Sequence, residues 1–244
     1  MPAPNIYADS VVPVVGDGFG LEYTDEAVAA LRGLEPDKLN EFAMMQANDP
    51  VSFGWCLPGW AKVLDSWRKS QIGIILGGNR SSKSVFCARV AIWIATNVPG
   101  ARVRCWSANE ETSINDQQRV LWRELPERYK HLPKKRFATY SVDYTQKNGF
   151  TGGKLVFPPI APGYEGGEII FQTYKSWAND DKVAEGWWAH FIWADEEIPP
   201  KLYETLQYRL RDVNGRMFVS FTTINGWTAT VNSILNKAKT LTKR

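Results

Sequence analysis

The sequence predicts an α/β domain: a mostly parallel β-sheet with helices on both faces. Three observations carry that prediction. Short, almost wholly apolar runs such as Gln71-Ile-Gly-Ile-Ile-Leu76 and Ala189-His-Phe-Ile-Trp-Ala194 read as strands buried on both faces. Helix-forming stretches alternate with them, as βαβ units require. A chain of 244 residues, 44% of them hydrophobic, is long enough to bury such a core.

The elements follow in order. Residues 1–20 mix Pro, Gly and Asp and read as a mobile arm. Residues 25–48 read as two short helices split near Glu35-Pro36. Ala27, Leu31 and Leu34 share one face of the first; Leu39, Phe42 and Met45 share one face of the second. The aromatic-rich stretch 51–70, with Phe53, Trp55, Trp60 and Trp67, leads into the strand 71–76. That strand ends in Gly-Gly and opens a helix over 83–97. A second strand, 102–107, precedes a helix over 112–125. Tyr140-Ser-Val-Asp-Tyr144, a Lys147-Asn-Gly149 turn and Gly153-Lys-Leu-Val-Phe157 predict a β-hairpin insertion. Core strands then begin at Gly167 and Ala189, a helix covers 201–211, a strand covers 216–221, and Ala229 to Lys239 reads as a helix. The predicted organisation is an N-terminal arm with helices over 1–50, a core over 51–227 and the start of a linker helix over 228–244.

Composition narrows the function classes. The net charge of +3 permits a nucleic-acid partner without arguing for one. Cys56, Cys87 and Cys105 form no CxxC pair, and His131 and His190 are the two histidines, so neither a structural zinc site nor a disulfide framework is expected. There is no basic start followed by an apolar run, and no stretch long enough for a membrane span. The eleven tryptophans read as packing residues rather than as base-stacking platforms.

The segment after the first strand is Gly77-Gly78-Asn79-Arg80-Ser81-Ser82-Lys83-Ser84. It matches the phosphate-loop pattern G-x-x-x-x-G-K-[ST] between a strand and a helix, except at one position. Its backbone N–H groups are expected to face phosphates. Lys83 is expected to reach the β- and γ-phosphates of ATP, and Ser84 to bind Mg²⁺. Ser82 is the departure from the pattern, since a glycine at that position allows unusual dihedrals beside a ligand. An ordinary Gly-rich turn is the competing reading.

The second signal is Phe191-Ile-Trp-Ala-Asp195-Glu196-Glu197, an apolar strand that ends in carboxylates. Parallel sheets place their ligands at that edge. Asp195 suits Mg²⁺ binding and Glu196 suits polarising an attacking water; the alternative is a strand ending in solvated acids. An acid directly after the magnesium aspartate favours ATP hydrolysis over metabolite phosphorylation, because a water-activating base would waste ATP in a kinase. Together the motifs predict a P-loop NTPase of the ASCE, RecA-like type.

The ordered set Gly186, Phe191-Ile-Trp-Ala-Asp-Glu-Glu-Ile-Pro-Pro-Lys-Leu-Tyr203-Glu204, Arg209, Asn214-Gly215-Arg216 and Phe221-Thr-Thr-Ile-Asn-Gly226 resembles the large terminase subunit of tailed bacteriophages, and so does the GGNRSSKS loop. The resemblance spans roughly residues 70–227. Ile198 interrupts the family's acid-proline run, and Ile224 stands where the family often has Pro. The resemblance implies the ATPase motor that drives double-stranded DNA into a procapsid. Its implied partners are the portal protein and the small terminase subunit, in a homo-oligomeric ring in the cytoplasm of the infected bacterium. It leaves no room in this chain for the family's nuclease domain, so nuclease activity is not expected. It assigns Thr222 and Thr223 to a coupling motif that senses the γ-phosphate; both also read as ordinary β-branched strand residues.

Arg80 is the candidate cation for the transition state in cis, with a loop-shaping salt bridge as its rival role. Arg209 and Arg211 are candidates in trans, or simple helix-surface charges, and Lys182 is the nearest basic residue where the family often carries a cation. Trp60, Trp67 and Gln71 are available to adenine, with core packing the alternative for both tryptophans. Two other functions compete: another P-loop translocase or helicase, and a nucleotide-binding assembly module that does not turn over.

Overall fold

The computed structural model describes residues 12–78, 80–130, 132, 139–222 and 232. Six strands form one sheet: β1 (Ile72–Leu76), β2 (Arg102–Ser107), β3 (Lys154–Val156), β4 (Glu168–Thr173), β5 (Phe191–Asp195) and β6 (Arg216–Phe221). Their spatial order is β1-β6-β5-β2-β4-β3, and every neighbouring pair is parallel except β3 with β4. Strand β6 comes last in sequence but lies between β1 and β5. The strand before the glycine-rich loop and the strand ending in acids are therefore separated by one additional strand, as the predicted fold class requires.

Strand periodicity divides the core into two layers. Val103, Cys105, Phe191, Trp193 and Phe218 face one side, which is covered by α3 (Pro58–Trp67), α4 (Lys83–Asn97) and α5 (Arg119–Glu124). Trp106, Ile192, Ala194, Met217 and Val219 face the other, which is covered by α6 (Tyr174–Asn179) and α7 (Pro200–Tyr208). Helix α4 is apolar nearly all round and buries ten of its residues, because it packs on the sheet and against neighbouring helices. Trp67, Trp106 and Trp193 are fully buried, in line with their reading as packing residues.

Several local expectations change. Part of the predicted mobile arm is packed: Val12 and Phe19 are buried, Phe19 meets the Phe86 ring edge-on at 6.4 Å, and Gly20 N–H donates to Val51 O at 2.8 Å. Helices α1 (Asp25–Arg32) and α2 (Pro36–Asn48) form as predicted, the first capped by Thr24, but neither buries a residue. Their apolar stripes stay on the surface, with Leu34, Leu39 and Met45 exposed. The helix predicted over 112–125 is split into Glu110–Thr112, a π-helical turn at Ser113–Gln118, and α5. Two buried glutamines accompany the widened turn. Gln118 accepts from Phe150 N–H at 2.8 Å and donates to Ser113 at 2.9 Å, and Gln117 donates to Trp106 O at 3.3 Å.

The hairpin insertion is also revised. The turn joins only Tyr144–Thr145 to Gly149–Phe150. The Lys154–Val156 segment instead becomes the antiparallel edge β3 of the main sheet, touching the upstream arm at one bridge, Ser141 with Val156. Gly149 sits at a φ of 68°, and a Cβ there would lie 2.2 Å from the Gln118 side chain, so the turn packs directly on the π-helical segment. Ile198 is buried, and the helix after the acidic strand starts at Pro200, whose missing N–H costs nothing in the first turn. The helix predicted over 229–239 lies, apart from Asn232, outside the described residues. Among the described residues no helix is long and apolar enough to cross a membrane.

Candidate active site

The C-terminal ends of β1, β5 and β6 open into one cleft of about 1080 Å³. The phosphate-loop segment 80–85, Asp195, Glu196 and Thr222 all line it. Residues far apart in sequence meet here because the three strands are neighbours and parallel. Asn79 and Thr223 lie outside the described residues.

The loop leaves β1 at Gly77, where a Cβ would sit 2.7 Å from Ser81 Oγ; the close approach explains that glycine. Arg80 and Ser82 both adopt left-handed backbone, at φ of 67° and 60°. Ser82 immediately precedes α4 but makes no side-chain cap to it. Its hydroxyl donates to Ser81 O at 2.6 Å and accepts from Trp60 Nε1–H at 2.9 Å. The first-turn N–H groups of α4 therefore have no serine cap competing with an incoming anion.

Lys83 is buried, and its ammonium turns back over the loop. It donates to Gly77 O at 2.7 Å, Gly78 O at 3.1 Å, Ser81 Oγ at 3.4 Å and Thr222 Oγ1 at 3.2 Å. The last contact ties the phosphate loop to the end of β6. Arg80 is exposed on the cleft wall, and no described residue forms an ion pair with it, so the loop-shaping salt bridge weighed as its rival role is not formed among the described residues.

Asp195 Oδ1 accepts from Ser220 Oγ at 2.6 Å, and Ser220 Oγ accepts from Trp193 Nε1–H at 2.9 Å. The Tyr174 hydroxyl donates to Asp195 O at 2.8 Å. Burial pushes the Asp195 carboxyl up to about 6, eased by the Ser220 hydrogen bond, raised further by Glu196 and lowered by Lys83. Glu196 follows at a φ of 65°, its N–H donating to Ser220 O at 2.7 Å. Its carboxyl is raised, first by burial and then by Asp116, while Lys83 and the Thr222 backbone N–H pull the other way. Three of the four described non-glycine residues at positive φ, namely Arg80, Ser82 and Glu196, thus line this one cleft. Strained backbone concentrated in this way is a mark of functional sites.

The opposite wall was not legible from the motifs. Asp116 comes from the π-helical turn, Arg119 and Arg123 from α5, with Lys130 and Tyr144 beyond. Arg123 pairs with Glu124 at 3.0 Å, and Lys130 pairs with Glu127 at 3.1 Å. Arg119 and Arg123 share a helical stripe, but surface helices carry such pairs routinely. What aims this wall at the cleft is the π-helical turn, and no sequence motif announces it.

Other candidates lie elsewhere. Arg211 packs over the Tyr208 ring at 4.5 Å, and neither Arg209 nor Arg211 lines the cleft. Lys182 is exposed and outside it too. Trp67 is fully buried against Phe218, with ring centroids 4.0 Å apart, and offers no face to a base. Gln71 contributes its carbonyl to Met217 N–H. Trp60 stacks on Phe86 at 4.6 Å and reaches the loop through its N–H.

The oxygen donors of Ser84 and Asp195 in one cleft suit Mg²⁺, which takes one or two carboxylates together with substrate phosphates.

No protein-family model and no curated protein matches the chain. Among solved structures, it is similar to a point mutant of the Thermus phage P74-26 large terminase ATPase domain, at 16% identity over 69% of this chain and 66% of that one, with a TM-score of 0.43. It is also similar to the large terminase of a thermophilic bacteriophage in complex with ADP, at 16% identity over 67% of this chain and a TM-score of 0.47. The match spans only 38% of that second chain.

Proposed function

We infer that this chain binds and hydrolyses ATP. The observation that carries the reading is the convergence of the phosphate loop and the acidic strand end on one cleft, with Lys83 Nζ 3.2 Å from Thr222 Oγ1 across them. Incoming phosphates take the place of the Gly77 and Gly78 carbonyls as partners of the Lys83 ammonium, and the uncapped start of α4 supplies N–H donors. Glu196, held over the cleft by its left-handed backbone, orients a water for attack on the γ-phosphorus. The bond to the ADP oxygen breaks, and ADP and phosphate leave. Arg80 on the cleft wall is placed to meet the developing charge in cis. Ser84 and Asp195 would hold Mg²⁺, which supplies charge neutralisation at the β- and γ-oxygens when bound. Thr222, bonded to Lys83, is placed to report the γ-phosphate to β6.

The ordered motifs downstream of the acidic strand extend the reading to a DNA-packaging motor. Under it, the chain translocates double-stranded DNA in the cytoplasm of an infected bacterium, as a ring engaged with a portal protein and a small terminase subunit.

Binding of a fluorescent mant-ATP and phosphate release with Mg²⁺, measured on the same preparation, test the core of this reading. Lys83→Ala is expected to lose binding. Glu196→Gln is expected to bind and fail to turn over. Phosphate release that survives Glu196→Gln unchanged sinks the assignment.

A further inference from the structure

The phosphate loop carries a serine where its pattern calls for glycine, and the backbone there still takes the glycine-like conformation, with φ 60° and ψ 16°. A side chain makes that conformation unfavourable. Something must hold it, and helix α4 reaches only the Ser82 carbonyl, which accepts from Phe86 N–H at 3.0 Å, since the Ser82 side chain makes no cap. Packing supports it incompletely, because a cavity of about 240 Å³ borders Ser82 together with Trp60, Val85 and Phe86. The hydroxyl itself is fastened: it donates to Ser81 O at 2.6 Å and accepts from the Trp60 indole N–H at 2.9 Å.

Trp60 is well placed to act as the anchor. It lies on α3, twenty-two residues upstream of Ser82. Its ring is fixed by stacking on Phe86 at 4.6 Å, with an interplanar angle of 11°. Phe86 in turn packs against Phe19 and Phe218. The far end of α3 is anchored by the fully buried Trp67, stacked on Phe218. The indole N–H is thus a rigid donor, delivered to the loop from a neighbouring helix.

We propose that Trp60 is a positioning residue for the phosphate loop: its N–H holds Ser82 in the left-handed conformation and keeps the loop shaped for phosphate. Ser82 and Trp60 together do what a glycine does alone elsewhere. The glycine removes the steric objection; here the objection stays and a hydrogen bond from α3 outweighs it. The loop's shape therefore depends on the upstream segment. This proposal rests on the nucleotide-binding reading for its consequence, but not for its geometry.

The experiment separates the two. In the absence of nucleotide, hydrogen exchange is measured at the backbone amides of residues 80–84 in the wild-type chain, Trp60→Phe, Ser82→Ala, Ser82→Gly and the double variant Trp60→Phe/Ser82→Gly. Trp60→Phe keeps a stacking ring and removes the donor. It is expected to speed exchange in the loop by about tenfold, the scale of one lost hydrogen bond, and to leave core strands unchanged. Ser82→Ala, which breaks the same bond without touching α3, is expected to do the same, and it decides the matter should Trp60→Phe fail to fold. Mant-ADP affinity is expected to drop about five- to tenfold in either variant by the same reasoning. In the double variant it is expected to recover, because glycine adopts the conformation unaided. Loop exchange unchanged in both folded single variants overturns the proposal. So does an equal effect of Trp60→Phe with and without Ser82→Gly. A wild-type chain that binds no mant-ADP refutes the nucleotide reading instead, and the exchange data still decide the role of Trp60.

Discussion

The two ends of the central sheet use buried polar groups in opposite ways. At the N-terminal end, Arg216 is buried and spends its guanidinium on backbone: it donates to Trp67 O at 2.6 Å, Ser70 O at 2.7 Å and Arg68 O at 3.4 Å. Those carbonyls belong to the end of α3 and the turn after it, where Trp67 O also accepts from Ser70 N–H at 3.3 Å. His190, also buried, accepts from Arg102 N–H at 3.0 Å through Nδ1. Burial, with Arg102 second, pushes its imidazole down to about 4, so it stays neutral. At the C-terminal end the same strands deliver left-handed Ser82 and Glu196 and the raised carboxyl of Asp195. One end closes the fold; the other carries strain and charge facing a cleft. Substitutions at the two ends should therefore separate stability from chemistry.

Glu196→Gln is the largest test. Turnover is expected to fall about 100-fold or more, the usual range for a lost catalytic base, while the melting temperature does not drop. A comparable loss of stability would erase the contrast. Arg216→Gln is the converse. It removes three hydrogen bonds from a buried guanidinium to backbone carbonyls and is expected to cost about 3 kcal/mol in urea unfolding, with mant-ADP affinity unchanged in the folded protein. A matching loss of affinity would show that the two ends are coupled.

Acid titration sharpens the comparison further. His190 has a folded value near 4 against an ordinary 6.5. Its contribution is complete above pH 6.5 and is lost as pH falls through about 4. Asp195 runs the other way: raised from 3.8 to about 6, it favours the fold below 3.8 and loses that contribution as pH rises through about 6. The difference in unfolding free energy between the wild-type chain and His190→Gln is expected to shrink by on the order of 2 kcal/mol from neutral pH to pH 4. A difference flat with pH would remove His190 from the account. The smallest effect belongs to Ser220→Ala, at the C-terminal end, where Ser220 stands in register with Asp195. It strands Trp193 Nε1 and one Asp195 oxygen, and about 1 kcal/mol of stability and severalfold in turnover are expected to go. Calorimetry and phosphate release read both.

Much of the site was legible because its parts are local. The glycines and Lys83 follow one strand, and Asp195-Glu196 end another, so periodicity and short motifs suffice to place them at strand ends. The tryptophans read as core for the same reason. Other features depend on distant partners. Asp116 and Arg119 face the cleft because a π-helical turn sets their phase, and that turn accompanies a hydrogen bond that Gln118 accepts from Phe150 N–H, thirty-two residues away. The Lys154–Val156 strand left its predicted hairpin because β4 offered a longer unpaired edge than the short arm at 140–144. Residues 12–20 lack helical or strand periodicity, yet Val12 and Phe19 are buried; Phe19 meets Phe86 of α4, and Gly20 N–H donates to Val51 O.

By itself, then, the sequence determined the alternation of buried strands with helices, the glycine-rich loop after β1 and the acids that end β5, because each is written in residues adjacent along the chain. Tertiary structure alone decided how those pieces meet: β6 entering between β1 and β5, Lys83 reaching Thr222, and Trp60 fastening a serine where a glycine was expected. Such contacts join positions 22 to 139 residues apart, and no local pattern encodes a pairing at that distance.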